Sequence, residues 1–115
     1  MNIDVLEMLL QKEGVRCTTV DSARAVSSTV EHIAPVDIVF LDLEFPNGDG
    51  FHLFNEFKVN PKLNTVPIVA YTVHISEIDK ARRHGFHSFI GKPLSIQRFP
   101  LQLQKILAGT PVWEI

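Results

Sequence analysis

The 115-residue sequence is poor in cysteine, in excess charge and in long apolar runs. Its single cysteine, Cys17, excludes an internal disulfide and a thiolate metal cage, and it fits the reducing cytoplasm in which we expect the chain to reside. The 11 Lys and Arg residues nearly balance the 13 Asp and Glu residues, so the net charge of −2 excludes a general attraction for nucleic acid or an anionic membrane. Every apolar run is far shorter than the roughly 20 residues of a membrane-spanning helix, and we expect no secretory leader.

The length and the composition fit one globular domain. Apolar residues make up 45 % of the sequence, which is the ordinary share for a globular protein. Single domains most often have roughly 100–150 residues. We place the domain at residues 1–109, and we assign residues 110–115 (TPVWEI) to a tail or linker.

Segments with helical and strand-like patterns alternate along the whole chain. The spacing of apolar residues predicts helices over residues 2–13, 21–33, 76–85 and 96–107, and another that begins at Asp49. Strands are predicted where residues are β-branched or continuously apolar: 15–20 (VRCTTV), 36–43 (VDIVFLDL), 66–71 (VPIVAY) and 87–90 (HSFI). Strands separated by crossover helices cannot pair as hairpins, so the pattern predicts a doubly wound parallel sheet with helices on both faces.

Polar side chains stand where the predicted strands end. Asp42 and Glu44 follow the first buried run, Thr72 follows the next, and Lys92 precedes the turn-forming Pro93 after the last. The carboxyl ends of parallel strands meet at one edge of the sheet, where ligand and catalytic groups gather. There a carboxylate can attack a phosphoryl group, a hydroxyl can donate a hydrogen bond to a phosphoryl oxygen, and an ammonium can offset the charge.

Three segments, DIVFLDLEFPNGDG, VPIVAYT and FIGKPL, resemble the signature segments of the response-regulator receiver domain of two-component signalling. The resemblance extends from the first helix to about Gly109. It implies that Asp42 is the phosphoacceptor, Thr72 the switch hydroxyl, Lys92 the lysine of the active site and Phe89 the aromatic side chain that reports phosphorylation. The loop after the acceptor also matches the family, at Pro46, Asp49 and Gly50.

The sequence departs from the family at its start. Receiver domains have the flavodoxin-like strand order 2-1-3-4-5 and open with a strand that ends in two acidic Mg²⁺ ligands. This chain begins with a helix, so strand 1 and the acidic pair are absent, and Mg²⁺ is left with Asp42 and the main-chain carbonyl of Glu44. Removing that strand predicts a gap of roughly 9–10 Å between residues 15–20 and 36–43. Three arrangements could fill this gap: the two strands could pair directly, a second molecule could supply a segment, or the protein could have further residues upstream. We favour the last of these.

The resemblance implies a signalling switch and not an enzyme that acts on metabolites. Its partner would be a histidine kinase or phosphotransfer protein, and phosphorylation would change the surface presented to an output domain or to a second copy. The absent acidic pair leaves an alternative open, a pseudo-receiver that binds its partner without phosphorylation. A flavodoxin-like ligand site is disfavoured, because FPNGDG is not a phosphate-binding loop and follows the wrong strand.

For the remaining motifs, structural roles are preferred to catalytic or metal-binding ones. His84 and His87 straddle a predicted helix end, so a zinc site is disfavoured, and the basic cluster at residues 80–84 is expected to be a solvated face. Asp49 is expected to cap a helix. Glu44 is expected to repel an incoming phosphoryl donor. The aromatic stripe of the third helix is assigned to the core: Phe51, Phe54 and Phe57.

Overall fold

The computed structural model describes residues 3–33, 35–44 and 50–114, in which two helices are followed by alternating strands and helices. The helices are α1 (Ile3–Lys12), α2 (Ala23–His32), α3 (Gly50–Val59), α4 (Ile78–His84) and α5 (Phe99–Leu107), and a 3₁₀ turn (Ile75–Glu77) precedes α4. The strands are β1 (Val39–Asp42), β2 (Ile68–Thr72), β3 (Ser88–Gly91) and β4 (Trp113–Glu114). Within these ranges no helix combines the length and the apolar character needed to cross a bilayer.

All four strands run parallel in one sheet, in the order β1-β2-β3-β4. The interior strand β2 is buried along its whole length, as expected for a strand that is covered on both faces. Its side chains alternate between the faces, because successive residues of a strand point in opposite directions. Ile68 and Ala70 join one core cluster, whereas Val69 and Tyr71 join the other.

Helices cover both faces of the sheet and enclose these two clusters. Helices α2, α3 and α4 pack on one face, and α1 and α5 pack on the other. The first cluster takes its helical members from Val26, Val30, Leu53, Phe54, Phe57 and Ala81. The second takes them from Leu6, Leu9, Leu10, Phe99, Leu103 and Ile106. The predicted doubly wound parallel sheet is therefore confirmed, as is the core position of Phe54 and Phe57, with Phe51 partly buried against them.

The strand predicted for residues 15–20 is wrong. These residues have no regular secondary structure, and Cys17 among them is exposed. Val15 and Val20 are partly buried, one against each core cluster. A cavity of about 860 Å³ separates this segment from the outer edge of β1. The segment has β-branched residues but no neighbouring strand, and an extended segment becomes a strand only when its backbone groups pair in a ladder.

A short strand lies within residues 110–115, which were assigned to a tail or linker. Trp113 and Glu114 form β4, which pairs with Phe89 and Ile90 of β3. The Phe89 N–H donates to the Val112 carbonyl at 2.8 Å, and Val112 is buried. The assignment of this segment outside the fold is therefore corrected, because its backbone completes the ladder along the free edge of β3.

Candidate functional site

The residues singled out at the strand ends lie at one edge of the sheet. Asp42 is the last residue of β1, Thr72 is the last residue of β2, and Lys92 directly follows β3. The register of the sheet aligns them, because Asp42 lies opposite Tyr71 and Thr72 lies opposite Gly91. Parallel strands of matched register end together, so side chains from three distant parts of the sequence share one site.

Asp42 and Lys92 form a close and largely buried ion pair. Lys92 Nζ donates to Asp42 Oδ2 at 2.7 Å, and the two side chains are 6 % and 14 % exposed for Lys92 and Asp42, respectively. The Lys92 backbone is fixed by a hydrogen bond from its N–H to the Thr72 carbonyl at 2.9 Å. The Lys92–Pro93 peptide bond is cis. Lys92 Nζ also lies 4.6 Å from the centre of the Tyr71 ring, a distance suited to a cation–π contact.

The surroundings of Asp42 favour its charged form. Burial would raise the pKa of Asp42, but hydrogen bonds involving Glu44 and Lys92, together with the Lys92 charge, lower it below its ordinary value of 3.8. The carboxyl group is therefore ionised at neutral pH, as a nucleophile must be. The neighbouring Tyr71 shows the opposite effect, because burial and the negative charge of Asp42 raise its pKa to about 12.

Glu44 joins the Asp42 carboxylate and the Thr72 hydroxyl into one hydrogen-bonded group. Its backbone N–H donates to Asp42 Oδ1 at 2.9 Å, and its carboxylate Oε1 accepts from the Thr72 hydroxyl at 2.9 Å. Thr72 Oγ1 in turn accepts from the His74 N–H at 3.1 Å. His74 Nε2 lies 3.5 Å from Glu44 Oε1 at the exposed side of the site. Sequence reasoning missed the bond between Glu44 and Thr72; the position of Glu44 two residues after Asp42 was the available signal.

The turn after β1 approaches the start of α3 very closely at Gly50. A Cβ atom at this position would lie 2.7 Å from Leu43 Cα and 3.1 Å from the Asp42 carbonyl oxygen. Only glycine permits this close approach between the end of β1 and the start of α3. Pro46 and Asp49, the other residues matched in this loop, lie outside the described residues, and so does the predicted capping role of Asp49.

Phe89 and the two histidines occupy separate places. Phe89 is completely buried in β3, and its main chain pairs with Ala70 and Trp113. The His84 ring shares a hydrogen bond with Asn55 Oδ1 at 2.8 Å, whereas the His87 ring shares one with Ser88 Oγ at 2.9 Å. The two rings therefore have different partners. Among the described side chains, no three His, Cys, Asp or Glu residues form a group suited to a metal ion.

Comparison with known proteins agrees with this arrangement. A family model described as the response regulator receiver domain matches residues 1–104. The two-component response regulator ORR8 of Oryza sativa subsp. indica is 33 % identical over 98 residues, covering 84 % of this chain and 81 % of that protein. An uncharacterized 14.6 kDa protein of Leptolyngbya boryana is 31 % identical over 106 residues, covering 90 % of this chain and 77 % of that protein.

Solved structures of receiver domains have the same fold. The receiver domain of NtrX from Brucella abortus is 29 % identical with a TM-score of 0.76, covering 91 % of this chain and 88 % of that one. The receiver domain of sensor histidine kinase PA1611 from Pseudomonas aeruginosa, with a magnesium ion coordinated in its active site cleft, is 23 % identical with a TM-score of 0.79; the match covers 93 % of this chain and 88 % of that one. From the family match over residues 1–104 and the related sequences, we conclude that the chain belongs to the response regulator receiver domain family.

Proposed function

We propose that this chain is a phosphoacceptor domain in which Asp42 receives a phosphoryl group from a histidine kinase or phosphotransfer protein. Receiver domains of response regulators act with histidine kinases and output domains as signalling domains. The observation that carries the proposal is the ionised Asp42 carboxylate at the end of β1, with Lys92 Nζ 2.7 Å from its Oδ2. An anionic nucleophile beside a fixed cation suits transfer of a negatively charged phosphoryl group.

The transfer requires one bond to form and one to break. An oxygen of Asp42 attacks the phosphorus of a phosphohistidine, so an O–P bond forms and the P–N bond breaks. The bonding electrons leave with the imidazole nitrogen, which takes a proton from solvent. Lys92 stays protonated throughout and offsets the negative charge that gathers on the acyl phosphate.

The oxygen atoms of Asp42 and Glu44 are of the chemical type that binds Mg²⁺. The Asp42 carboxylate and the main-chain carbonyl of Glu44 are hard oxygen donors, the type that Mg²⁺ prefers. Mg²⁺ commonly takes one or two carboxylates from a protein and completes its six ligands with phosphate oxygens and water. When bound, the ion would offset charge on the transferring phosphoryl group. We therefore propose Asp42 and Glu44 as the residues of this chain that would hold it.

Thr72 and Phe89 are the proposed switch residues. Both side chains are completely buried, and the strands that carry them are neighbours in the sheet. A change in the position of Thr72 would act on the packing around Phe89 and so on the surface formed by α4, β3 and α5, where β4 covers the edge of β3. Because cores are densely packed, such a change moves the structure between discrete arrangements. That surface is where we place contact with an output domain or a second copy.

An intact-mass measurement tests the proposal. The protein is incubated with acetyl phosphate, with and without Mg²⁺, beside the variants Asp42→Asn and Asp37→Asn. Asp37 is exposed and precedes β1, so its variant is the matched control and should take label as the wild type does. We expect one added phosphoryl group that requires Mg²⁺ and is lost in Asp42→Asn. Label retained by Asp42→Asn would show that another residue is the acceptor, and no label on the folded wild type would favour the phosphorylation-independent module instead.

A further inference from the structure

The Thr72 hydroxyl already has a negatively charged partner while Asp42 is unmodified. Its proton is donated to Glu44 Oε1 at 2.9 Å, and the Thr72 side chain is completely buried. A threonine hydroxyl has one proton to donate. While that proton is directed at Glu44, Thr72 cannot donate it to an oxygen of a phosphoryl group on Asp42.

Glu44 is held at this position by the acceptor itself. Its N–H donates to Asp42 Oδ1 at 2.9 Å, so the turn that carries Glu44 is tied to the carboxylate that would be modified. Modification of Asp42 changes the charge and shape of the group that this N–H contacts. Asp42 and Glu44 are therefore coupled by a hydrogen bond within three residues of chain, and the bond from the Thr72 hydroxyl to Glu44 Oε1 extends that coupling to Thr72.

The other carboxylate oxygen of Glu44, Oε2, lowers the cost of breaking the hydrogen bond between Thr72 and Glu44 Oε1. Glu44 Oε2 is buried, and it has no hydrogen-bond partner among the described residues. A buried charged oxygen without a partner is costly. The Glu44 side chain is 38 % exposed as a whole and faces His74, which is 56 % exposed, so a small outward movement would return Oε2 to water. That gain offsets part of the loss of the Thr72 bond.

We propose that Glu44 is a positioning residue that holds the Thr72 hydroxyl in the unmodified protein and must release it when Asp42 is phosphorylated. This inference rests on the proposed function of Asp42. On phosphorylation the Thr72 proton passes from a hydrogen bond with Glu44 Oε1 to one with a phosphoryl oxygen, and Glu44 turns toward solvent. Glu44 thus opposes phosphorylation twice, by its negative charge near the incoming donor and by competition for Thr72.

Two substitutions separate the charge of Glu44 from its hydrogen bond. Glu44→Gln removes the charge but keeps an oxygen that can accept from Thr72, whereas Glu44→Ala removes both. Glu56→Gln, on the exposed side of α3, is the matched control and should behave as the wild type. We expect the initial rate of labelling by acetyl phosphate to rise in Glu44→Gln and to rise further in Glu44→Ala, to about tenfold above the wild type. In a Thr72→Val background the two Glu44 variants should label at equal rates.

A second measurement needs no phosphorylation. The His74 N–H donates to Thr72 Oγ1, so its amide resonance in a ¹H–¹⁵N spectrum reports the orientation of that hydroxyl. We expect this resonance to shift in Glu44→Ala and to stay near its wild-type position in Glu44→Gln. Equal labelling rates in the two variants with Thr72 present, or an unshifted His74 resonance in Glu44→Ala, would overturn the inference. If no variant takes label, the proposed function fails while the resonance still decides whether Glu44 positions Thr72.

Discussion

Replacement of Lys92 by methionine should destabilise the fold, because it leaves a buried carboxylate without its cation. Lys92 Nζ and Asp42 Oδ2 are 2.7 Å apart, and the side chains of Lys92 and Asp42 are only 6 % and 14 % exposed. Breaking a buried pair by removing one partner costs about 3–5 kcal/mol. Asp42 retains the hydrogen bond from Glu44 N–H and some contact with water, so we expect a loss of about 2–3 kcal/mol at pH 7. This is a large part of the roughly 5–15 kcal/mol that stabilises a domain.

Urea unfolding followed by circular dichroism measures this loss. The double variant Asp42→Asn/Lys92→Met should recover most of the free energy of unfolding, because it leaves no unpaired buried charge. Lys105→Met, on the exposed side of α5, is the control and should leave the midpoint unchanged. A Lys92→Met variant as stable as the wild type, or a double variant less stable than Lys92→Met alone, would refute the reasoning.

The same variant has a pH dependence of defined sign. The pKa of Asp42 is lower in the folded protein than its ordinary value of 3.8, because hydrogen bonds and the Lys92 charge outweigh burial. A lowered carboxyl pKa contributes stability that is complete above about pH 4 and is lost as the pH falls through the folded-state pKa. The difference in unfolding free energy between wild type and Lys92→Met should therefore shrink as the pH falls below 3.8. If the difference in unfolding free energy stayed constant down to the lowest pH at which the protein folds, the ion pair would be excluded as its cause.

Two further predictions concern neighbours of Asp42. Tyr71 is the one tyrosine of the chain, so its phenolate absorbance should titrate with a pKa of about 12. In Asp42→Asn this pKa should fall yet stay above 10, since burial is the larger cause; an unchanged value would show that the Asp42 charge does not reach the phenol. Gly50→Ala should lose about 1–3 kcal/mol in urea unfolding, because its Cβ would lie 2.7 Å from Leu43 Cα. A gain in stability, as helix propensity alone favours, would contradict the close approach.

The strands β1 and β2 were predictable because their sequences are distinctive. The runs around them are almost continuously apolar, which is typical of strands covered on both faces; β2 is fully buried, whereas the edge strand β1 is mostly half-buried. The polar residue that ends each run therefore had to lie at the edge of the sheet, which places Asp42 and Thr72 correctly. The strand predicted for residues 15–20 was wrong because β-branched residues favour a sheet only where a neighbouring strand is available to pair with them.

The opposite error occurred at β4. Residues 113–114 form a strand of two residues, too short to have a periodic pattern. They belong to the sheet because the edge of β3 offers unpaired backbone groups and because the Val112 N–H reaches Ser88 Oγ at 2.9 Å. Neither condition is visible in the local sequence, since both depend on residues 24 positions away.

The sequence by itself determined the layered α/β fold and the identity of the residues at its carboxyl edge. The periodicity of apolar residues and the ends of apolar runs are local properties of the sequence, so they can be deduced from neighbouring residues alone. Only the tertiary structure decided which of those residues are bonded to each other: Lys92 to Asp42 across 50 positions, and Thr72 to Glu44 across 28. Several donors and acceptors compete at this edge, and the choice among them depends on strand register and on distances of a few ångströms that packing sets.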